Sequence, residues 1–345
     1  MPSEPPIPSG EASGAAATAV SVPAAAPHTM VCMEVWGGNH ATNQGVVMPG
    51  LDVWVFSEPY MGDDMGGDVH YVSSCGTGRI SRLIIADVSG HGETVAEFAR
   101  GLRTLMRRFV NYLDQTRFVE ALNKGLVEVD ETGRFATSVA MTFFAPSRHL
   151  EVCNAGHPRP LWYHAAERRW EPLDAGVARN AARAGGPSNL PLGVLEPTQY
   201  EQFGVQLRRG DLVLAYTDAL VEARAGDGRM LGEEGLLALV STIDVSQPEQ
   251  FVPTLLGRLA AFRGGAASDD DLTLLLIRHN GLGTQAPFVA RLGASVRFLG
   301  MVGRHLLHGC RGEPVPWPEP RKQNILGAFS RRVAESWRGQ SAARR

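Results

Sequence analysis

Residues 138–164 read SVAMTFFAPSRHLEVCNAGHPRPLWYH and contain three short apolar runs separated by turn residues. We predict strands at 138–144, 150–154 and 160–164, because each run is bounded by Pro, Ser, Asn or Gly. The connections between these strands are too short for a crossover helix, so the three strands are expected to pair antiparallel. This pattern disfavours a doubly wound parallel sheet.

Short apolar runs and turns continue on both sides of this stretch. Further strands are predicted at residues 53–56, 82–87, 211–217 and 272–278. Apolar residues spaced three or four positions apart predict helices at 94–113, 118–129, 233–240 and 249–262. Pairs of helices beside antiparallel strands favour an α+β fold in which helices flank a sandwich of sheets.

Composition narrows the class of protein. The 345 residues are 44% apolar, which is enough for a sizeable core. The four cysteines are scattered and form no CxxC pair, so neither a disulfide framework nor a thiolate zinc site is indicated. We therefore expect reduced thiols and a cytoplasmic protein.

The beginning of the chain differs from the rest in composition. Residues 1–30 form an Ala- and Pro-rich leader, which we expect to be disordered. Its first 28 residues contain no Lys or Arg, unlike the basic start of a secretory signal. No apolar run approaches the roughly 20 residues that a membrane-spanning helix needs, so none is expected.

Charge is divided unevenly along the chain. Residues 281–345 hold 11 Lys/Arg and 3 Asp/Glu, a basic tail of +8, whereas the remainder holds 22 against 33, or −11. An acidic body binds phosphate backbones poorly, so no nucleic-acid partner is expected. Within the tail, Leu326, Phe329, Val333 and Trp337 would share one face of an amphipathic helix. We expect this helix either to pack on the acidic domain or to contact an anionic membrane or an acidic partner peripherally.

Four separate segments place aspartates at strand ends or in the tight turns beside them. A single aspartate of this kind is more often a turn former or a helix N-cap. Several together repel one another and are costly to bury, unless hard divalent cations such as Mg or Mn accept their oxygens as ligands. The segments are Gly66-Gly67-Asp68, Ala86-Asp87-Val88-Ser89-Gly90-His91-Gly92, Tyr216-Thr217-Asp218-Ala219-Leu220 and Ser268-Asp269-Asp270-Asp271-Leu272-Thr273.

The order of these segments, together with the turn Asn154-Ala155-Gly156-His157-Pro158, resembles the metal-dependent protein phosphatase family, which is protein phosphatase 2C-like. The similarity is greatest to its bacterial branch of SpoIIE- and RsbU-type serine phosphatases, and it covers roughly residues 54–279. It implies an αββα sandwich and a phosphatase domain at residues 31–280. It also implies hydrolysis of phosphoserine or phosphothreonine on a regulatory protein, commonly an anti-sigma-factor antagonist in a partner-switching pathway.

The resemblance further implies two divalent metal ions, Mn or Mg, at one edge of the sandwich. Asp87 and a water would bridge the ions, and this water would attack phosphorus in line without a phosphoenzyme. Asp68 would lie near one ion, which the Val88 carbonyl would help to bind, while Asp218 and Asp270 would hold the other. Asp271 is the alternative ligand in the last segment.

Several residues depart from the family pattern or lack an assigned role. Ala219 follows Asp218 where the family usually has Gly, so one alternative is a pseudophosphatase that binds phosphoproteins without hydrolysing them. No basic residue upstream of Asp68 is obvious as a phosphate anchor. His91 could act as a general acid, although a histidine between two glycines is at least as often a loop-packing group. His157 is interpreted as a structural turn residue or a substrate contact.

Other classes of enzyme are disfavoured. A Ser-His-Asp hydrolase would need a nucleophile elbow such as GxSxG, and nucleotide sites would need GxxxxGK or GxGxxG between a strand and a helix; the sequence contains none of these. A metal-dependent phosphohydrolase that acts on small molecules is the second alternative, because one sequence does not separate the two substrate classes. The sequence also leaves a homodimer open.

Overall fold

The computed structural model describes residues 27–30, 35–75, 78–90, 93–110, 112, 114–129, 133–174 and 188–283. The strands are β1 (His28–Thr29), β2 (Val35–Gly38), β3 (Thr42–Met48), β4 (Leu51–Glu58), β5 (Val69–Cys75), β6 (Ile80–Val88), β7 (Ala136–Phe144), β8 (His149–Ala155), β9 (Leu161–His164), β10 (Arg169–Pro172), β11 (Gln202–Gln206), β12 (Leu212–Tyr216) and β13 (Leu272–His279). The helices are α1 (Glu93–Arg108), α2 (Gln115–Val129), α3 (Gly232–Ser241) and α4 (Pro248–Phe262), with 3-10 turns at Tyr60–Gly62 and Asp218–Leu220.

These strands form two sheets that are stacked face to face. The first sheet has the order β1-β3-β4-β13-β12-β9-β10, and the second has the order β11-β8-β7-β6-β5-β2. Neighbouring strands run antiparallel, apart from the short parallel pair β1–β3. Helices α1 and α2 cover the second sheet, whereas α3 and α4 cover the first. The predicted α+β fold, an αββα sandwich, is therefore confirmed.

Burial on both faces explains the continuous apolar runs of the central strands. In β6, Leu83 and Ile85 face the core between the sheets, whereas Ile84 and Ala86 face the core under α1 and α2. The same alternation occurs in β4, where Val53 belongs to the core between the sheets. A strand that is covered on both sides has no solvent face on which polar residues would be favoured.

The predicted antiparallel run of three strands is correct for its first pair only. Strands β7 and β8 pair antiparallel, but β9 crosses to the other sheet and lies between β10 and β12. The intervening turn carries Gly156 with a φ of +70°, and Pro158 and Pro160 have no amide hydrogen for a ladder bond. The Asn154 side chain bonds both the amide and the carbonyl of His157, which stabilises the turn that redirects the chain.

Helix α1 ends at Arg108, earlier than the predicted residue 113. The Arg82 guanidinium, which is buried in β6, donates hydrogen bonds to the carbonyls of Val110 and Tyr112 just after the helix. These carbonyls are therefore satisfied outside the helical ladder. The Asp114 carboxylate then accepts hydrogen bonds from the amides of Thr116 and Arg117 and caps the start of α2.

The last residues of the predicted leader belong to the folded domain. Residues His28 and Thr29 pair with β3 and Met30 is buried, so the predicted leader overlaps the folded domain at its end.

Six strands were not predicted from the sequence: β1, β2, β3, β5, β10 and β11. The proposed tail helix lies outside the described residues. Among the helices that the structure describes, none is both long and apolar enough to cross a membrane.

Candidate active site

Two pairs of strands, one from each sheet, bring the predicted aspartates to the same edge of the sandwich. In the second sheet Val69 pairs antiparallel with Ala86, so Asp68, which precedes Val69, comes beside Asp87, which follows Ala86. In the first sheet Asp218 comes just after β12, and Asp270 and Asp271 come just before the partner strand β13. The Thr217 hydroxyl donates to Asp68 Oδ2 at 2.9 Å and joins the two pairs.

Asp68 is the most buried of these carboxylates, with an exposure of 2%. Its Oδ1 atom is buried and makes no hydrogen bond within the described part of the chain. Burial raises the pKa of Asp68 well above its usual range, and the charges of Asp87 and Asp271 add to that effect. The nearby hydroxyl groups of Thr273 and Thr217 oppose the pKa shift in part.

Asp87 lies where the carboxylates converge. Burial raises the pKa of Asp87 to about 7, and nearby negative charges contribute to this rise. Such repulsion is the electrostatic signature expected of a site that concentrates negative charge for a cation. The neighbouring charges are Asp218, Asp270, Asp271 and Glu222.

Glu222 was not identified from the sequence. Its amide donates to the Asp218 carbonyl at 2.8 Å, and its charge is the main neighbouring group that raises the pKa of Asp218, after burial. The spacing of four residues from Asp218 was the available signal, because one helical turn returns the chain to the same face.

Asp270 and Asp271 have different environments. Asp270 is exposed, and its Oδ1 atom accepts a hydrogen bond from the Asp271 amide at 2.8 Å. Asp271 is buried and accepts hydrogen bonds from the amides of Tyr60 at 2.6 Å and Gly67 at 2.5 Å. Both oxygens of Asp271 therefore hold the loop that leads to Asp68.

Two glycines allow this loop to lie against the aspartates. A Cβ atom added at Gly66 would lie 2.5 Å from Asp271 Oδ1, and one added at Gly67 would lie 3.1 Å from the Val88 carbonyl oxygen. The loop is also tied to Asn39, whose carbonyl accepts from the Gly66 amide at 2.7 Å and whose side chain donates to the Gly66 carbonyl at 3.0 Å. The Val88 carbonyl, a predicted ligand, thus lies beside the same loop.

Ala219 fits its position without backbone strain. It lies within the 3-10 turn that follows β12, has no positive φ, and is 5% exposed. Its carbonyl accepts a hydrogen bond at 3.0 Å from Arg263, whose same nitrogen donates to Ser268 Oγ at 3.2 Å. Arg263 therefore links the segment of Asp218 to the segment that carries Asp270.

Of the two histidines singled out from the sequence, the structure describes His157 and not His91. His157 is buried, and its Nδ1 atom is 2.8 Å from the hydroxyl of Thr137, the residue that pairs with Asp87 across β6 and β7. Burial lowers the pKa of His157 to about 3, so the ring is neutral at pH 7. His91 lies outside the described residues.

The donor set fits hard divalent cations by its chemistry. It consists of carboxylate oxygens with a backbone carbonyl nearby, and Asp68 Oδ1 is a buried acceptor without a hydrogen-bond donor. Over the ranges that the structure describes, no group of three or more His, Cys, Asp or Glu side chains is arranged so that it could hold a metal ion.

Comparisons with known structures agree with this architecture. The RsbU and RsbW domains of a Mycobacterium tuberculosis protein superpose with a TM-score of 0.56 and 23% identity, over 74% of this chain and 70% of that one. The PP2C phosphatase domain of SpoIIE from Bacillus subtilis, with a fragment of its regulatory domain, gives a TM-score of 0.54 and 15% identity over 72% and 64%. At these identities, the similarity concerns the fold.

Sequence comparisons give a relative and a family. Phosphoserine phosphatase RsbU of Bacillus subtilis (strain 168) is 23% identical over 231 residues, which are 66% of this chain and 63% of that protein. The chain thus spans less than two thirds of the length of this relative. The family model described as Stage II sporulation protein E (SpoIIE) matches residues 77–280, more than half of the chain. The predicted resemblance is confirmed, and the chain belongs to the SpoIIE family.

Proposed function

We propose that this chain is a metal-dependent serine/threonine protein phosphatase that hydrolyses phosphoserine or phosphothreonine on a regulatory protein. The observation that carries the proposal is the convergence of aspartates from four segments at one edge of both sheets, where burial and like charges raise the pKa of Asp87 to about 7. A fold gains nothing from assembling mutually repelling carboxylates, whereas a cation site requires them.

Two divalent cations, Mn or Mg, would be held by residues at this edge. When bound, such ions supply an acidified water as the nucleophile and positive charge for the phosphoryl oxygens. We assign ligand roles to Asp68, Asp87, the Val88 carbonyl, Asp218 and Asp270. Asp271 remains an alternative ligand, although its two backbone hydrogen bonds favour a role in holding the loop.

Three further residues of the site, Gly66, Gly67 and Arg263, would position these ligands. Gly66 and Gly67 allow the loop to approach the carboxylates closely, since a side chain at either position would collide with its neighbours. Arg263 holds the segments of Asp218 and Asp270 together. The reaction would then depend on orientation and on electrostatics, which are the usual contributions of a protein to phosphoryl transfer.

The proposed substrate class is a phosphorylated regulatory protein of a partner-switching pathway, such as an anti-sigma-factor antagonist. Membership of the SpoIIE family supports this assignment, as does the similarity to a phosphoserine phosphatase and to a structure that joins RsbU and RsbW domains. The alternative of an inactive phosphoprotein-binding module was raised by Ala219. Its unstrained backbone supports an active enzyme.

The test is phosphate release from a phosphoserine peptide and from p-nitrophenyl phosphate, measured with Mn, with Mg and with a chelator. We expect turnover of both substrates with added metal and none with chelator. Metal-dependent turnover of p-nitrophenyl phosphate without any turnover of phosphopeptides or phosphoproteins would favour a small-molecule phosphohydrolase. Phosphopeptide binding without hydrolysis in any metal would favour the pseudophosphatase.

A further inference from the structure

We infer that the buried Thr217 hydroxyl, which the Thr273 amide holds in place, acts as a positioning group for Asp68. The inference rests on the proposed function in that Asp68 is taken as a ligand of a divalent cation. It adds residues that would not touch the ion or the substrate but would determine how tightly the ion is bound.

Hydrogen bonds lead from β4 and β13 to the carboxylate, and the link between Thr273 and Thr217 is made by the Thr273 amide and not by its hydroxyl. Ser57 Oγ and Thr273 Oγ1 are 2.9 Å apart, and Ser57 and Thr273 are direct partners across β4 and β13. The Thr273 amide donates to Thr217 Oγ1 at 2.9 Å, and Thr217 Oγ1 donates to Asp68 Oδ2 at 2.9 Å. All four residues are at most 3% exposed, so water does not compete for these bonds.

The direction of the last bond follows from the atoms available. A hydroxyl has one hydrogen and two lone pairs, and Thr217 Oγ1 already accepts the hydrogen of the Thr273 amide. The hydroxyl hydrogen is therefore free to be donated to Asp68 Oδ2, and a carboxylate is the stronger acceptor available. This bond holds one oxygen of Asp68 and leaves Oδ1, which has no hydrogen bond in the described structure, for a ligand.

These hydrogen bonds also connect the two sheets. Ser57, Thr273 and Thr217 belong to the first sheet or its edge, whereas Asp68 immediately precedes β5 of the second. Hydroxyl groups in otherwise apolar runs such as LVLAYT and LTLLLI are costly to bury unless they are hydrogen-bonded. Valine would fill nearly the same volume at positions 217 and 273, so packing alone does not require threonine there.

The experiment measures Mn binding by titration calorimetry in the full chain and in variants. Thr217→Val should weaken Mn binding about ten- to a hundredfold, the range typical of changes to residues that orient metal ligands. Thr217→Ser keeps the hydroxyl and should bind Mn within a few-fold of the parent. Ser57→Ala keeps both the Thr217 hydroxyl and the Thr273 amide, so it should also bind Mn within a few-fold of the parent.

A matched control distinguishes positioning from general loss of a buried hydroxyl. Thr142 is fully buried in β7 and donates to Gln115 Oε1, and it lies five residues along the strand from Thr137, about 17 Å. Thr142→Val should lower the midpoint of urea unfolding but leave Mn affinity unchanged. In an Asp68→Asn background, Thr217→Val should cause little further loss of Mn affinity, since its effect acts through Asp68.

Three results would overturn the inference: unchanged Mn affinity in Thr217→Val, an equal loss in Thr142→Val, or full additivity with Asp68→Asn. If Thr217→Val does not fold, Thr217→Ala carries the test, and Mn affinity within a few-fold of the parent in that variant would also contradict the inference. If the parent binds Mn but hydrolyses no phosphomonoester, the proposed function fails while the positioning role stands. If the parent binds no Mn, both fail.

Discussion

The Gly67 amide donates a hydrogen bond to Asp271 Oδ2 at 2.5 Å, joining residues 204 positions apart in the chain. The other oxygen of this carboxylate accepts from the Tyr60 amide. Asp271 precedes β13 in one sheet, and the loop that it holds leads directly into Asp68 and the other sheet. The position of the buried carboxylate Asp68 therefore depends on a second carboxylate that is distant in sequence.

The first prediction concerns the glycine beside this bond. Gly66→Ala should destabilise the fold by about 1–3 kcal/mol, the usual cost of forcing added atoms into a packed site. The Asp271 carboxylate would have to move away from the new Cβ, so metal-dependent phosphate release should fall as well. The control is Gly101→Ala in α1, where a Cβ meets no atom within 4 Å.

Gly101→Ala should raise stability by about 1 kcal/mol through helix propensity, with turnover unchanged. Urea unfolding and phosphate release measure both variants. A Gly66→Ala protein as stable and as active as the parent would show that the contact with Asp271 has no importance.

The second prediction concerns Asp87. Asp87→Asn should reduce metal-dependent turnover by on the order of a hundredfold or more, which corresponds to about 3 kcal/mol of transition-state stabilisation. Without metal, the variant should be at least as stable as the parent near pH 8, because it removes a charge that burial and neighbouring carboxylates disfavour. Asp269→Asn, at an exposed position, is the mild control. Near-normal turnover in Asp87→Asn would contradict the assigned site.

The third prediction tests whether Asp218 and Asp270 serve the same ion. Each single substitution to Asn should lower turnover strongly, and the double variant should be little worse than the more damaged single one. Once one change has emptied a shared site, the second has little left to remove. Turnover is measured at several Mn concentrations. Losses that multiply as independent effects would show that the two aspartates do not share an ion.

The fourth prediction concerns the arginine that joins two segments of the site. Arg263→Met removes hydrogen bonds to the Ala219 carbonyl and to Ser268, and should both lower stability by about 1–3 kcal/mol and reduce turnover. Arg258 in α4, five residues before Arg263, offers a matched control, because its guanidinium bonds the carbonyls of Leu239 and Thr242 instead.

Arg258→Met should lower stability similarly but leave turnover near that of the parent. Chemical unfolding and phosphate release separate the two effects. Equal turnover in both variants would mean that Arg263 supports the fold without positioning the aspartates.

The fifth prediction is a pH dependence of stability that arises from His157. Its folded pKa of about 3 lies below the unfolded value of about 6.5, so the unfolded chain takes up a proton first as the pH falls. Stability should therefore be retained above pH 6.5 and decline below it, by about 2 kcal/mol between pH 7 and pH 5 from this residue. His157→Gln should remove that part of the decline in urea unfolding. The same slope in parent and variant would assign the acid sensitivity to other groups.

Local patterns determined much of the fold. The helices and the central strands were predicted because their apolar residues recur with periods that a single segment reveals, as in β7, β8 and α4. The strands that were missed include β3 and β5, whose sequences TNQGVVM and VHYVSSC mix polar residues into short runs. Their strand conformation comes from pairing with β4 and β6, which no local pattern reports.

The order of aspartate motifs was likewise visible in the sequence, and it was sufficient to predict both the family and the αββα sandwich. What only the tertiary structure decided is how these residues differ from one another. Asp270 is exposed whereas Asp271 is buried under two backbone amides, and Thr217 bonds Asp68 across the sheets. Hydrogen-bond partners and burial depend on atoms more than a hundred positions away in the chain, so neighbouring aspartates that look equivalent in sequence acquire different environments only when the two sheets meet.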